Sequence, residues 1–410
     1  MTKSRVTIIA FHFRPDEAIG GVRPENWAIW LSGDYEVTVV TRAAPSCQDE
    51  GLPYNIIRPR SVLTSLVEWL AAWRRQHRIA RWGRRARPRE VRKMGSGAFV
   101  YRMPCLYDFW FFSALRASLK SRPDVVIATH SPYVTLLIAV AHKMLRPTTK
   151  IMLDFRDLWT ANHTTVGVPL VRNLERALER ISVSKADVVT TVSRGLAEYF
   201  EDNGNGHKTL VIYNAPAQKA VSAAAPSVSF RPKANILKLV YTGTIYSGLQ
   251  DPTPLLRLLS RQRGDKTSSG MKVEFLVASK NPGDLPALIE QERVGGRVRL
   301  LGPLTRAQSI ALQQQADILV LLESGDPEVK GILTGKVFEY LATDKPILLL
   351  GPGEGSELHA LLTSHGRLLS LEDVDGVING ASVLPKHEVI DYSKISLGQL
   401  RRAMEFLHAN

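Results

Sequence analysis

The first half of the chain alternates short apolar runs with turn-rich loops and helical segments. It opens with RVTIIAF, a run whose β-branched residues predict a buried strand. The loop FRPDEAIGG follows, and PENWAIWLS and EVTVVT then predict a helix and a second strand. Strand, glycine-containing loop, helix and strand in this order are typical of a parallel α/β domain.

The same pattern continues and then starts again in the second half. Further strands are predicted by DVVIATH, KIMLDFRD, ADVVTTVS and TLVIYNAP, and later by LKLVYTG, MKVEFLVAS, RVRLLGP, ADILVLL and KPILLLG. Their continuous apolar character indicates strands that helices cover on both faces. We therefore predict an α/β protein with two Rossmann-like, doubly wound parallel-sheet domains that face a cleft.

Changes in this pattern predict the domain boundaries. The N-terminal domain spans residues 1–215 and the C-terminal domain residues 236–392, and a linker rich in Ala, Ser and Pro joins them over residues 216–235. Residues 393–410 predict a final helix, which could pack back on the N-terminal domain.

Residues that directly follow strands are the first candidates for a site, because ligands of open α/β sheets bind at the carboxyl ends of the strands. His130 ends one strand of the first domain, and Asp154, Arg156 and Asp157 end the next. A lone histidine in this place is either structural or a site residue. For the other three residues we favour an internal salt bridge that braces the cleft wall.

The loop after the first strand contains Gly20 and Gly21, and Arg14 and Arg23 flank it. Glycines let a ligand approach backbone amides that a side chain would cover. The sequence therefore predicts a loop that admits a phosphate or an acceptor substrate.

The amino-acid composition shows a strong excess of positive charge, much of it in one stretch of the chain. The chain carries 53 lysines and arginines against 39 acids, which gives a formal net charge of +14. Within residues 74–93, ten basic residues accompany a single acid, Glu90. This balance favours an anionic partner, such as nucleic acid, anionic lipid or a phosphorylated substrate.

The basic stretch belongs to residues 61–115, which we interpret as an amphipathic insertion in the first domain. Tryptophan with arginine on such a helix suits a membrane surface, because the indole lies at headgroup depth and the cations meet anionic lipid. A solvated basic loop beside a core helix, and contact with RNA or DNA, are the alternatives. The candidate membrane-surface residues are Trp69, Trp73, Arg74, Arg75, Arg78, Arg81, Trp82, Arg84 and Arg85.

Cysteine usage and hydropathy narrow the class of protein further. The only cysteines, Cys47 and Cys105, exclude a disulfide scaffold and a cysteine-built metal site. No stretch reaches the ~18 uncharged apolar residues that a spanning helix needs. We expect a cytoplasmic protein that is peripheral on the inner face of the cytoplasmic membrane.

The most informative segment is KGILTGKVFEYLATDKP, residues 330–346. Thr334 and Gly335 precede a predicted helix that begins near Lys336, where free amides, the helix dipole and a lysine form an anion site. Glu339 lies one turn further on the same face, and its carboxylate could accept hydrogen bonds from a ribose or sugar diol. Binding of a nucleoside diphosphate needs both an anion site for its phosphates and a carboxylate for its ribose diol. The alternative is an ordinary helix cap with a surface Lys–Glu pair.

Two other motifs are excluded by spacing or context. Gly331 and Gly335 are one residue too close for a P-loop, and Val337 stands where a P-loop needs Ser or Thr. Asp373 and Asp375 have Asp-x-Asp spacing, but we interpret them as part of a polar turn. We predict no metal site and no cofactor.

Taken in order, several segments resemble retaining glycosyltransferases of the GT-B class, the group-1 or family-4 type that includes enzymes of surface-polysaccharide assembly. The resemblance covers most of the chain. It is carried by the Gly20–Gly21 loop, LDFRDLW, ADVVTTVS and VIYNAP in the first half, and by YTGTI, LLGPL, ADILVLL and GKVFEYLATDKPIL in the second.

The resemblance implies roles for individual residues. A nucleotide sugar is held mainly by the second domain, and His130 faces the acceptor or the donor sugar. The first glutamate of the family's Glu-x7-Glu motif is Gly331 here, and YTGTIYSGLQ offers no cation, so Lys336 would supply part of that charge. The implied catalytic residues are thus His130 and Lys336, and the implied donor-binding residues are Glu339, Gly335, Thr334, Gly243, Thr244 and Leu304.

The implied reaction is transfer of a sugar from a nucleotide-diphosphate sugar to a lipid-linked or glycan acceptor at the membrane surface, with retention, in cell-surface polysaccharide biosynthesis. The nucleotide sugar is a substrate, and no metal or nucleic acid is expected. Two alternatives stay open: a nucleotide-sugar epimerase or hydrolase on the same fold, and a non-catalytic nucleotide-sugar-binding protein.

Overall fold

The computed structural model describes residues 3–15, 19–43, 49–60, 102–162, 168–217, 236–261, 271–325, 333–351 and 353–409. The chain divides into two compact units. Unit 1 contains Met1–Tyr213 and Ser396–Asn410, and unit 2 contains Asn214–Ile395. Each unit is built on an open sheet of parallel strands, which confirms the predicted fold class.

Unit 1 has a seven-stranded sheet in the order β3-β2-β1-β4-β5-β6-β7, and every neighbouring pair is parallel. The chain builds outward from β1 in one direction and from β4 in the other. The loops after these two strands therefore meet at the topological switch point of the sheet. The strands are β1 (Arg5–Ile9), β2 (Glu36–Val40), β3 (Asn55–Ile57), β4 (Val125–Thr129), β5 (Lys150–Phe155), β6 (Val188–Thr191) and β7 (Thr209–Val211).

The central strands of unit 1 are buried along their whole length, as expected for a parallel sheet with helices on its faces. Ser193 caps one of these helices, because its side chain accepts a hydrogen bond from the amide of Leu196. The helices are α1 (Ile19–Leu31), α2 (Phe111–Ser121), α3 (Val134–Leu145), α4 (Arg172–Lys185) and α5 (Arg194–Phe200), with short 3₁₀ helices at Leu106–Trp110 and Pro169–Val171.

Unit 2 repeats the arrangement with six parallel strands in the order β10-β9-β8-β11-β12-β13. The strands are β8 (Ile236–Thr242), β9 (Lys272–Ala278), β10 (Val298–Gly302), β11 (Ile318–Leu322), β12 (Ile347–Leu350) and β13 (Leu368–Leu369). The helices are α6 (Thr253–Arg261), α7 (Leu285–Gln291), α8 (Arg306–Gln314), α9 (Gly335–Leu341), α10 (Glu357–Ser364) and α11 (Leu371–Ile378).

The last helix, α12 (Tyr392–Ala409), carries the chain back into unit 1. Its apolar face is buried there, with Leu400, Ala403, Met404 and Leu407 at 2% exposure or less. Gln399 accepts a hydrogen bond from the amide of Tyr213, which fixes the helix beside the end of the sheet.

Two local predictions differ from the structure. Gly20 and Gly21 lie in the first turn of α1 and not in a loop, where the carbonyl of Gly20 accepts a hydrogen bond from Arg156. Asp373 and Asp375 lie in α11 and not in a turn. The carboxylate of Asp373 accepts from the amide of Ser370 in a capping box, so it completes a helix end.

Several predictions fall outside the described residues. These include all nine candidate membrane-surface residues, most of the predicted linker, Cys47 and Gly331. In residues 102–115, the described end of the predicted insertion, aromatic side chains differ in exposure. Trp110 is buried in the core of unit 1, whereas Phe109 and Phe112 are exposed. In the described part of the chain, no helix has the length and apolar character needed to cross a bilayer.

Candidate functional site

Lys336 lies in the first turn of α9 with its side chain packed against the end of β8. Its Nζ donates a hydrogen bond to Oη of Tyr241 at 2.8 Å and lies 4.4 Å from the centre of the Tyr241 ring. Burial lowers the pKa of Lys336 to about 8, and the negative charge of Glu339 opposes this only in part. The ammonium is therefore present at neutral pH but poorly solvated, so an anionic ligand would stabilise it.

The lysine reaches this position because the residue after β8 is a glycine. Gly243 has φ = +125°, and a Cβ at this residue would lie 2.8 Å from Nζ of Lys336. Burial raises the pKa of Tyr241, so its phenol stays protonated and donates to the carbonyl of Thr244 at 2.6 Å. Of the two predicted donor-binding residues in this turn, Gly243 thus lies directly against Lys336, and Thr244 accepts the hydrogen bond of Tyr241.

Glu339 lies one turn further along α9 and is held by residues of α8. Nη2 of Arg306 donates to Oε1 of Glu339 at 2.7 Å, and Nε2 of Gln313 donates to Oε2 at 3.3 Å. Gln313 also donates to the hydroxyl of Thr242 at 2.9 Å, which connects the carboxylate to β8. Glu339 is therefore fixed in orientation, and 19% of its side chain stays exposed to a ligand.

Arg306 is the charged residue of this cluster that sequence reasoning missed. It is the first residue of α8, after the cap formed by Thr305, and its guanidinium is 26% exposed beside Glu339. The prediction looked for a cation directly after β8, whereas the structure supplies one after β10. The available signal was an arginine next to a Thr-x-x-Gln capping box at the end of a predicted strand.

The remaining predicted donor-binding residues surround this cluster less closely. Thr334 is exposed, and its hydroxyl does not cap α9. Gly335 is the first residue of α9, and half-buried Leu304 lies two residues before Arg306. Because α9 is only seven residues long, the charge on Lys336 and Arg306 matters more here than the helix dipole.

His130 lies at the carboxyl end of β4 in unit 1, at 3% exposure. Its ring stacks on Tyr133 with 3.9 Å between centroids, and Tyr133 stacks on Trp159 at 4.7 Å. Burial, aided by the positive charges of Arg156 and His12, lowers the pKa of His130 well below its usual value. The imidazole is therefore neutral at pH 7, and it can exchange hydrogen bonds with a ligand without carrying charge.

The Nδ1 atom of His130 is buried and has no hydrogen-bond partner among the described residues. The nearest carboxylate, Oδ2 of Asp157, is 4.0 Å away, and the Asp157 side chain is 59% exposed. A buried polar atom without a partner is costly, so a polar ligand atom at this place would stabilise the structure.

Arg156 joins three of the predicted site elements of unit 1. Its Nε donates to the carbonyl of His130, and its Nη1 donates to the carbonyl of Gly20 at 2.8 Å. The guanidinium thus holds the turn after β4 against the start of α1. The structure brings His130, Arg156 and Gly20 together, with Asp157 at the edge of the same group.

Asp154 and Arg23 form a fully buried ion pair inside unit 1. Arg23 donates to both carboxylate oxygens, at 2.8 and 3.0 Å, and Thr129 and Thr190 donate to them at 2.7 and 2.8 Å. Arg23 also donates to the carbonyl of Ile212 at 2.8 Å. Arg23 was expected to flank a phosphate loop, but its guanidinium is turned into the protein and does not reach a ligand.

Arg14 behaves differently from Arg23. Its Nε lies 3.7 Å from a carboxylate oxygen of Glu25, and about a fifth of its side chain is exposed. Of the two arginines predicted beside the glycines, Arg14 is thus the one that stays partly accessible.

Comparison with known proteins finds one family that unit 1 resembles. Residues 21–215 match the family described as the glycosyl transferase 4-like domain. The match covers 195 of the 410 residues, almost all of them in unit 1. No curated protein matches the chain with significance.

Several solved structures resemble the chain over nearly its whole length, and so include unit 2 as well as unit 1. They include sucrose-phosphate synthase from Thermosynechococcus elongatus, with 12% identity, TM-score 0.52 and coverage of 99% of this chain and 97% of that chain. Anabaena HepE in complex with UDP and glucose has 13% identity and TM-score 0.51, with coverage of 99% and 100%. The N-terminal domain of Candida albicans trehalose-6-phosphate phosphatase has 12% identity and TM-score 0.55, with coverage of 100% and 94%. At these identities the likeness shows the fold, GT-B, and nothing finer.

In the described part of the chain, no group of three or more His, Cys, Asp or Glu side chains could hold a metal ion. The cations of the candidate donor site are protein side chains, Lys336 and Arg306.

Proposed function

We propose that this protein is a retaining glycosyltransferase, which transfers a sugar from a nucleotide-diphosphate sugar to a lipid-linked or glycan acceptor at a membrane surface. The observation that carries the proposal is the glycosyl transferase 4-like domain over residues 21–215. The cluster around Lys336 and Glu339 in unit 2 supports the nature of the donor. HepE, which shares the fold, has been solved with UDP and glucose, in agreement with a nucleotide sugar.

The diphosphate and the ribose of a nucleoside diphosphate each have a matching group in unit 2. The poorly solvated ammonium of Lys336 fits the diphosphate, because a charge-assisted hydrogen bond to a phosphate oxygen replaces the water that burial has removed. The carboxylate of Glu339 fits the ribose diol as an acceptor. Arg306 and Gln313 hold that carboxylate before the ligand arrives, which lowers the entropy lost on binding.

In the proposed reaction, the bond between the anomeric carbon and the diphosphate oxygen breaks as the acceptor hydroxyl attacks from the same face. The leaving diphosphate accepts the hydroxyl proton, so no separate base is needed. Negative charge grows on the diphosphate in the transition state, and Lys336 stabilises it electrostatically. In this scheme the protonated lysine, and not a metal ion, stabilises the negative charge on the leaving diphosphate.

His130 would contact a sugar hydroxyl from unit 1. Its neutral ring and its buried, unpartnered Nδ1 suit a hydrogen bond to a neutral hydroxyl better than to a phosphate. The acceptor at a membrane, the role in cell-surface polysaccharide assembly and the peripheral location rest on the basic, tryptophan-containing residues 61–101.

Calorimetry with a panel of nucleoside diphosphates tests the donor site. We expect Lys336→Met to weaken binding of the preferred diphosphate by about 10- to 100-fold, the usual worth of a charge-assisted hydrogen bond. The matched control is Lys345→Met, since Lys345 is half-buried in the same unit but pairs with Asp344. Thermal melting of Lys336→Met should be unchanged or higher at pH 7, because the folded state disfavours the ammonium below pH 8.

A screen of nucleotide-sugar donors against membrane extracts tests turnover. Sugar transfer to an extractable lipid or glycan supports the proposal. Donor conversion without acceptor would point to an epimerase or hydrolase, and tight binding without turnover to a non-catalytic binding protein. Equal diphosphate affinity in wild type and Lys336→Met would remove the proposed donor site.

A further inference from the structure

The outward face of α4 combines apolar and basic side chains and carries no acid. Leu174 and Ile181 are 57% and 47% exposed, and their i,i+7 spacing places them on one face, about 10 Å apart along the axis. Leu170, in the 3₁₀ turn that leads into the helix, is 95% exposed. The exposed basic residues of the helix are Arg172, Arg176, Arg180 and Lys185.

Both acids of α4 are turned inward. Glu175 is 1% exposed, receives a bidentate pair from Arg102, at 2.6 and 3.2 Å, and a hydrogen bond from the indole of Trp159. Glu179 is 4% exposed and accepts from the hydroxyl and amide of Thr160. A solvated surface helix usually mixes both signs of charge, whereas this one shows only cations to solvent.

A second exposed apolar group lies near this helix. Phe109 is 50% exposed and Phe112 is 79% exposed, at the end of the 3₁₀ helix and the start of α2. Asp108, in the same 3₁₀ helix, is close enough to Glu175 for the two charges to interact: burial raises the pKa of Asp108, and Glu175 raises it further. The exposed phenylalanines and the apolar stripe of α4 therefore belong to neighbouring parts of unit 1.

We propose that the outward face of α4, with Leu170, Leu174 and Ile181 as its apolar stripe, docks on an anionic lipid bilayer. The charge pattern selects this partner, because an exposed surface with apolar side chains and only cations matches acyl chains below lipid phosphates. A protein partner fits less well, since a stable interface buries about 800 Å² on each side and draws on about 20–30 residues. A bilayer needs no such area.

This inference deepens the proposed function, on which it rests for a membrane-bound acceptor. It concerns described residues of α4 and does not depend on residues 61–101, which carry the basic segment. Docking through α4 would fix the orientation of unit 1 at the membrane surface.

Vesicle binding of the full chain is the first test. Cosedimentation is compared on phosphatidylcholine vesicles with and without phosphatidylglycerol. We expect the pair Leu174→Ser and Ile181→Ser to weaken binding to the anionic vesicles by about tenfold, because two apolar side chains leave the interface. The pair Arg176→Gln and Arg180→Gln should reduce the salt sensitivity of binding. Val383→Ser, in unit 2 and 92% exposed, is the matched control and should bind as wild type does.

A site-specific probe separates α4 from the basic segment. An environment-sensitive fluorophore is attached at Leu174→Cys in a Cys47→Ser background, where the remaining Cys105 is buried. We expect a blue shift on anionic vesicles and quenching by brominated lipid. The same probe at Val383→Cys should show neither.

Either of two vesicle results would overturn the inference: a probe at position 174 that stays water-like while the chain cosediments with vesicles, or unchanged vesicle binding of the serine pair. Binding to an RNA oligonucleotide with no response of the probe to lipid would do so as well. Nucleoside-diphosphate calorimetry on the serine pair keeps the two proposals apart. Normal nucleotide affinity with lost vesicle binding is the expected result, whereas absent nucleotide affinity in wild type counts against the proposed function alone.

Discussion

At the residue scale, Lys336 is a cation in an environment that disfavours its charge. Burial is the larger influence on its pKa, and Glu339 offsets only part of it. The side chain is consequently charged at neutral pH and loses its proton near pH 8, more than two units below an ordinary lysine. A ligand with negative charge restores the lost solvation, which is the physical reason for placing the diphosphate here.

The affinity for a nucleoside diphosphate should therefore depend on pH. Below pH 8 the ammonium is present and binding is strong; above it, affinity should fall by up to about tenfold per pH unit, because binding then requires uptake of a proton. Calorimetry from neutral pH upward measures this, since the phosphate itself no longer titrates there. Lys336→Met should give a flat profile, and a wild-type profile that is equally flat would contradict the assignment.

Arg14 and Arg23 were predicted together, and the structure gives them opposite environments. Arg23→Leu would leave the carboxylate of Asp154 buried without its counter-charge, so we expect a loss of about 3–5 kcal/mol in the free energy of unfolding. Arg14→Leu removes a partly exposed pair with 3.7 Å between its charged atoms, worth less than about 1 kcal/mol. Urea unfolding monitored by circular dichroism compares the two variants. Similar losses would show that the Asp154 pair is not the brace we describe.

The sequence pointed to Lys336 and Glu339 because both lie within one turn of one helix, where spacing fixes the shared face. It could not point to Arg306, which reaches Glu339 from 33 positions earlier in the chain. It also could not separate Arg14 from Arg23, since the direction of each side chain depends on what α1 packs against.

At the scale of elements, the long buried strands were predictable, whereas the short strands β3 and β13 and the turns were not. Buried parallel strands have continuous apolar, β-branched sequences, and this signal survives without tertiary information. The Gly20–Gly21 segment shows the limit. Two glycines indicate a loop by propensity, but packing of α1 on the sheet extends the helix through them.

The turn after β8 offers a test at this scale. Gly243→Ala would place a Cβ 2.8 Å from Nζ of Lys336 at φ = +125°, so we expect the lysine to move and diphosphate affinity to fall by about tenfold. Gly248→Ala is the control: it also has a positive φ, +74°, but its Cβ would meet no atom within 4 Å. Calorimetry on both separates loss of the lysine position from backbone strain. Equal affinities in the two variants would show that the close approach at Gly243 has no role.

At the scale of the whole molecule, the chain closes unit 1 with its own C-terminus. Three large apolar residues of α12, Leu400, Met404 and Leu407, are buried there, and a fully buried side chain of this kind is worth about 1.5–3 kcal/mol. Deleting residues 396–410 should therefore destabilise unit 1 by several kcal/mol and make it sensitive to protease. Thermal melting and limited proteolysis measure this, with deletion of the last two residues as control. A truncated chain that melts as wild type does would contradict the role of α12.

The sequence by itself determined the α/β class of each unit and most of its strands, and it placed Lys336 and Glu339 within one turn of one helix. These follow from periodicity and local spacing, which short stretches of chain encode alone. Tertiary structure decided that Arg306 completes the cluster, that Arg23 is lost to a buried ion pair, and that the acids of α4 face inward while its cations face solvent. Those outcomes depend on which atoms meet after residues far apart in the chain have packed, and on the cost of burying a charge without a partner, neither of which a linear pattern records.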